Sequence, residues 1–175
     1  MRALVVYESM FGNTRQVAQA IVDGLAPHVK VELVEVGNAP DVIAPDVSLL
    51  IVGGPTHAFG MSRASTRLDA ATRTTVRLIS PGVGVREWLE GVQPPDHPVM
   101  SASFDTHVDK PRILRSAGSA AVPIARRLES LGCGVAADPE HFWVADTLGP
   151  LRDGELERAQ EWGSLLAGRA ASVLH

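Results

Sequence analysis

Apolar runs and helical stretches alternate along this chain. That alternation predicts an α/β fold, a three-layer α/β/α sandwich built on a five-stranded parallel sheet of order 2-1-3-4-5. Two further observations set the order. The first and third apolar runs, Ala3 to Tyr7 and Val47 to Val52, are almost continuously hydrophobic, as strands buried on both faces must be. The second, Val29 to Val36, begins by alternating apolar and charged residues and so suits a sheet edge.

Each element follows from its own pattern. After the first strand and a short polar loop, Val17, Ala18, Ile21, Val22 and Leu25 recur at helical spacing, with Arg15, Gln16, Gln19 and Asp23 on the opposite side. Pro27 and His28 end that helix, and the second strand follows. Gly37 to Pro40 has turn composition, and the connection to Pro45 is too short and proline-broken for a long helix. A helix carrying Val85, Trp88 and Leu89 precedes a fourth strand at Val99 to Ser103. Ser119 to Leu131 reads as a helix with Ile124, Leu128 and Leu131 on one face and Pro123 in its first turn, where proline is tolerated. Gly134–Ala136 and His141–Val144 are two candidates for the last strand. Asp153 opens a final helix to about Gly168, with Glu155 and Glu157 near its positive end.

The 175 residues fit a single domain, 1–175, with 45% hydrophobic and 21% charged residues, a composition that argues against disorder. A net charge of −4 lacks the basic footprint of a nucleic-acid binder. One cysteine, Cys133, forms no internal disulfide and suits a reducing compartment. The N-terminal apolar run is too short for an export signal, and no stretch reaches membrane-spanning length. A cytoplasmic protein without membrane insertion is the expectation.

The chemistry is concentrated in the first loop, Ser9-Met10-Phe11-Gly12-Asn13-Thr14. It joins a buried strand to a helix whose unpaired N–H groups and positive dipole end point into it. Ser9, Asn13 and Thr14 add side-chain donors, so the loop suits a phosphate. A βα turn with Gly12 for geometry and Asn13 or Thr14 as helix cap uses the same residues. No G-x-G-x-x-G follows the strand, and no G-x-x-x-x-G-K-[ST] is present, so neither a Rossmann dinucleotide site nor a nucleotide-hydrolysing P-loop fits. A cysteine-dependent phosphatase is excluded because Cys133 lies elsewhere.

The run from Val5 to Thr14, continued by Val17-Ala18 and Ile21, resembles the flavodoxin signature. In that family the corresponding loop holds the phosphate of FMN without a metal, and the fold is flavodoxin-like. The resemblance implies flavin contacts at two more strand ends. After the third strand, Gly53-Gly54-Pro55-Thr56-His57-Ala58-Phe59-Gly60 also resembles the FMN-dependent quinone reductases of the same fold. Here Pro55, Thr56, His57, Ala58, Phe59 and Gly60 are candidate ring contacts, with His57 or Phe59 able to stack. At the end of the fourth strand, Ser103, Phe104, Asp105 and Thr106 are candidates by position, Phe104 suiting core packing equally well. The loop running from there to Pro111 carries no tyrosine, and Trp88, Trp143 and Trp162 fall outside all three loops.

Ser9, His57 and Asp105 share the ligand end, but no spacing rule makes them a nucleophilic triad. The six histidines show no metal-ligand pair at helical spacing. Residues 61–84 form a long insert with Arg63, Arg67, Arg73 and Arg77 against the single Asp69. Each arginine pair is four residues apart, so a helix would project it to one side, as a solvated face or as a basic rim for an anionic partner. These readings imply an FMN-binding electron-transfer protein that serves a redox partner protein or a small quinone-like acceptor. Alternatives are an FMN-dependent NAD(P)H:quinone-type oxidoreductase and a flavin-free interaction module. Oligomeric state is not legible.

Overall fold

The computed structural model describes residues 2–108 and 118–173. Strand β1 (Arg2–Tyr7) leads through the polar loop into α1 (Asn13–Leu25), and β2 (Lys30–Glu35) follows with a single 3-10 turn at Val36–Asn38. Next come β3 (Val47–Pro55), α2 (Ala64–Thr72), α3 (Val85–Gly91) and β4 (Met100–Val108). The chain finishes with α4 (Ala121–Ser130), β5 (Gly134–Val135), β6 (Glu140–Val144) and α5 (Glu155–Val173). The sheet order is β2-β1-β3-β4-β5, with β6 also paired to β4, and every ladder between these strands is parallel.

Because strand side chains alternate between faces, the sheet has a core on each side. On one face Val5, Ile51, Phe104 and Phe142 pack against Val17, Ile21 and Leu25 of α1 and Trp162 and Leu166 of α5. On the other, Leu4, Val6, Leu50 and Val52 meet Trp88 and Leu89 of α3 and Ile124 and Leu128 of α4. Among the described residues, no helix is long and apolar enough to cross a membrane.

Both candidates for the last strand pair with β4. Gly134 and Val135 lie beside Met100 and Ser101, and Glu140 to Val144 lie beside Phe104 to Val108. This continued pairing lengthens β4 beyond the predicted Ser103, so Phe104, Asp105 and Thr106 are strand residues rather than loop. β3 likewise runs on to Pro55, and α5 runs past Gly168 to Val173. Residues 109–111 of the predicted fourth-strand loop lie outside the described residues.

The arginine-rich insert is α2 and the coil after it, and its charges divide. Arg63, Arg73 and Arg77 are exposed, with Arg73 paired to Asp69 at 2.9 Å. Arg67 turns inward instead and is 5% exposed. It donates to Ser62 Oγ at 2.8 Å and to Glu87 at 3.0 Å. Ser62 in turn donates to the buried Glu8, whose other oxygen accepts the Val85 N–H at 2.8 Å. Four segments are thereby tied at one buried point, so Arg67 is an anchor of the insert and not part of a basic rim. Glu8 holds its proton more tightly than an ordinary carboxyl. Burial raises its pKa, and the Ser62 and Val85 hydrogen bonds and the Arg67 charge offset only part of that.

Candidate functional site

The winding of the sheet reverses between β1 and β3, and in such folds ligands lie outside the strand carboxyl ends at that point. A cleft of about 120 Å³ opens there. It is lined by Ser9, Met10, Phe11, Asn13 and Thr14 from the first loop and by Pro55, Thr56 and His57 after β3. Thr106, His107 and Val108 of β4, with Val144 and Thr147, complete the wall.

The first loop is shaped by Gly12, whose φ of 101° lies in the left-handed region that favours glycine. Ser9 Oγ accepts the N–H of Gly12 at 3.1 Å and that of Arg15 at 3.3 Å. Both lone pairs are so used, which leaves the Ser9 O–H to donate. The Ser9 backbone is clamped to Ser80, N–H to Oγ at 3.1 Å and C=O from N–H at 2.9 Å. Among the described residues, no acceptor meets the N–H groups of Met10, Phe11, Asn13 or Thr14. These donors stand at the positive end of a thirteen-residue helix.

Thr14 is the second residue of α1 and not its cap. Its hydroxyl lies 2.7 Å from that of Thr106, both groups being buried. The pair has two protons and uses one between its oxygens, so one remains for a further acceptor. Asn13 reaches across the cleft mouth to donate to the Leu148 carbonyl at 3.3 Å.

After β3, His57 and Gly60 exchange backbone hydrogen bonds at 2.8 and 3.0 Å. Between them Ala58 and Phe59 both have positive φ, 43° and 70°, which makes a tight two-residue turn without glycine. This turn carries Phe59 outward, 59% exposed and beside Gly118. Ala58, Phe59 and Gly60 therefore do not line the cleft. His57 does, with Nδ1 3.1 Å from Thr66 Oγ1. Burial, then the Arg67 and Arg73 charges, lower its pKa and favour a neutral ring.

The β4 candidates separate by face and by depth, Phe104 and Thr106 sharing one face of the strand and Ser103 and Asp105 the other. Thr106 reaches the cleft, whereas Phe104 is 0% exposed and packs edge-on against Phe142 and Trp162 over Gly53. Gly53 leaves room for that ring, and so Phe104 is a core residue and does not line the cleft. Ser103 faces α4 and is buried, its Oγ meeting no partner among the described residues. Asp105 is also wholly buried. One oxygen accepts Thr56 Oγ at 3.1 Å and the Ala121 N–H at 3.0 Å, and the other accepts His141 Nδ1 at 2.9 Å. Burial alone would raise its pKa, but the His141 hydrogen bond and the charges of His141 and His107 hold it below the usual range. His107 and His141 were not among the expected site residues. The signal was strand spacing, since Asp105 and His107 are two apart on one face and His141 lies directly across from Asp105.

The sheet order and helix placement define a flavodoxin-like fold. No family model matches the chain, and no curated protein matches it. Among solved structures it is similar to a flavodoxin from the domain Archaea, with 22% identity and a TM-score of 0.65, covering 98% of this chain and 99% of that one. It is also similar to a flavodoxin of Streptococcus pneumonia TIGR4, with 15% identity, a TM-score of 0.64 and coverage of 97% and 99%. A third similarity is to rubredoxin oxygen:oxidoreductase of Desulfovibrio gigas, with 16% identity and a TM-score of 0.66. That match takes in 99% of this chain but only 37% of the larger protein.

Proposed function

We propose that this protein binds FMN in the cleft at the carboxyl ends of β1 and β3 and takes part in electron transfer. The observation that carries the reading is the cluster of N–H groups on Met10, Phe11, Asn13 and Thr14 without acceptors among the described residues, at a helix N-terminus and beside the remaining protons of Ser9 and the Thr14–Thr106 pair. A dianionic phosphate satisfies such donors, because charge-assisted bonds gain from both the dipole and burial. The cleft volume of about 120 Å³ suits a phosphate and the chain attached to it, being smaller than the ~300 Å³ and above of a site that encloses a whole drug-sized ligand. Pro55, Thr56, His57, Thr106 and His107 line the rest of the cleft and are available to the remainder of the molecule.

When bound, FMN supplies the ability to accept and release electrons in one- or two-electron steps. This chain holds the phosphate, keeps His57 neutral and fixes the walls through the Thr14–Thr106 and Thr56–Asp105 hydrogen bonds. The neighbours named flavodoxins support the cofactor by analogy of fold. A redox protein or a small quinone-like acceptor is the proposed partner. Calorimetric titration with FMN and riboflavin tests the reading. FMN should bind more tightly by at least tenfold, and equal affinity for riboflavin would refute a phosphate-reading loop.

A further inference from the structure

On the opposite face of β4 from Thr106, three ligating side chains converge. Asp105 Oδ1 lies 2.9 Å from His141 Nδ1 and 3.8 Å from His107 Nδ1. The two imidazoles stack nearly parallel, 6° apart in plane with centroids 5.4 Å apart. Two imidazole nitrogens and a carboxylate oxygen within 4.8 Å of one another are the donor set of a borderline divalent metal.

We propose that Asp105, His107 and His141 form a binding site for a divalent transition ion of the zinc type, with a fourth position open to solvent. Bond lengths of about 2.0–2.2 Å at tetrahedral angles put ligand atoms about 3.4 Å apart. The Asp105–His141 and Asp105–His107 separations of 2.9 and 3.8 Å bracket that value, and the two imidazoles, stacked in the free protein, turn out of their parallel arrangement to point both nitrogens at one ion. The second oxygen of Asp105 is already held by Thr56 and by the Ala121 N–H, which orients the first one, as supporting hydrogen bonds do around metal ligands. Trp143, with its ring 4.4 Å from that of His107, walls one side. The entry path is a separate cleft of about 470 Å³, where His107 and His141 meet Phe59, Ser119, Val122 and Arg126. Arg126 would favour an anion as the fourth ligand. His107 also lines the phosphate cleft, so the ion would sit beside that site and share one residue with it.

Calorimetric titration of the purified protein with zinc chloride tests this, with Co²⁺ absorption reporting the coordination and X-ray absorption reporting two imidazole ligands. The expected result is one ion per chain, with affinity falling at least about 100-fold in His107→Ala and in His141→Ala. His97→Ala, on a surface loop, should leave the affinity unchanged. Zinc should raise the melting temperature of the parent protein and not that of His141→Ala. His141 does not line the phosphate cleft, so FMN should bind His141→Ala as it binds the parent, which confirms that this variant folds. Absence of zinc heat and of a Co²⁺ spectrum would overturn the proposal. So would undiminished zinc binding in both histidine variants, since the ion would then be held elsewhere on the chain.

Discussion

Replacing Thr14 with valine keeps the shape and branching of the side chain and removes one hydroxyl. In the free protein that hydroxyl bonds Thr106 Oγ at 2.7 Å, with Thr14 2% and Thr106 4% exposed. A buried neutral hydrogen bond contributes about 0.5–1.5 kcal/mol, and 1 kcal/mol moves the melting temperature of a domain this size by roughly 2–4 °C. Thr14→Val should therefore lower the melting temperature of the free protein by a few degrees. If the same hydroxyl also helps to hold a phosphate, the variant loses a hydrogen bond to a charged group, worth about 1.5–3 kcal/mol. FMN affinity should then fall about 10- to 150-fold while riboflavin affinity stays constant. Thr14→Ser keeps the hydroxyl and should restore most of the loss. Flavin fluorescence titration, paired with thermal melts of free and loaded protein, separates the two effects. A lowered melting point with unchanged FMN affinity would show that Thr14 serves only the Thr106 bond, and it would refute the phosphate role of this side chain.

Glu8 should give stability a distinctive pH dependence. Its pKa is raised in the folded state, so its contribution is complete below the unfolded value and is lost as pH rises through the folded one. Urea midpoints of Glu8→Gln measured from acid to neutral pH should fall less steeply with pH than those of the parent, and identical slopes would show that Glu8 is not the titrating group. Arg67→Met leaves Glu87 and Ser62 without their partner and should cost about 3 kcal/mol. That is the low end for breaking a buried pair, because Glu87 is partly exposed to solvent. Chemical denaturation would show a much smaller loss if Arg67 were a surface charge. Reversing the exposed Arg73 and Arg77 to Glu should leave the fold intact and slow electron exchange with an anionic partner at low salt, an effect that fades as ionic strength rises. Stopped-flow rates independent of salt would remove the insert from the partner surface. Gly53→Ala would place a methyl 2.2 Å from the Phe104 ring, and the overpacking should cost at least about 1–3 kcal/mol in thermal or urea unfolding.

The strand order and the first loop are legible without any structure. Both are written in short-range patterns: apolar runs of strand length, the edge alternation of Val29 to Val36, and Ser9 to Thr14 between a strand and a helix. A helix N-terminus needs no distant partner to present its N–H groups, so the cluster of donors in that loop is legible locally. The remaining features depend on pairing across the chain. Phe104 reads as a loop residue until β6 lies beside it and extends β4, after which its ring and the Thr106 side chain share one face, the ring deep in the core and Thr106 further along the strand at the cleft. Arg67 reads as one of four surface arginines until Glu87, Ser62 and Glu8, distant in sequence, converge on it. His141 stands thirty-six residues from Asp105, and only strand register brings their side chains to 2.9 Å. Register is fixed by the buried faces of both strands together, and no local window of sequence contains both.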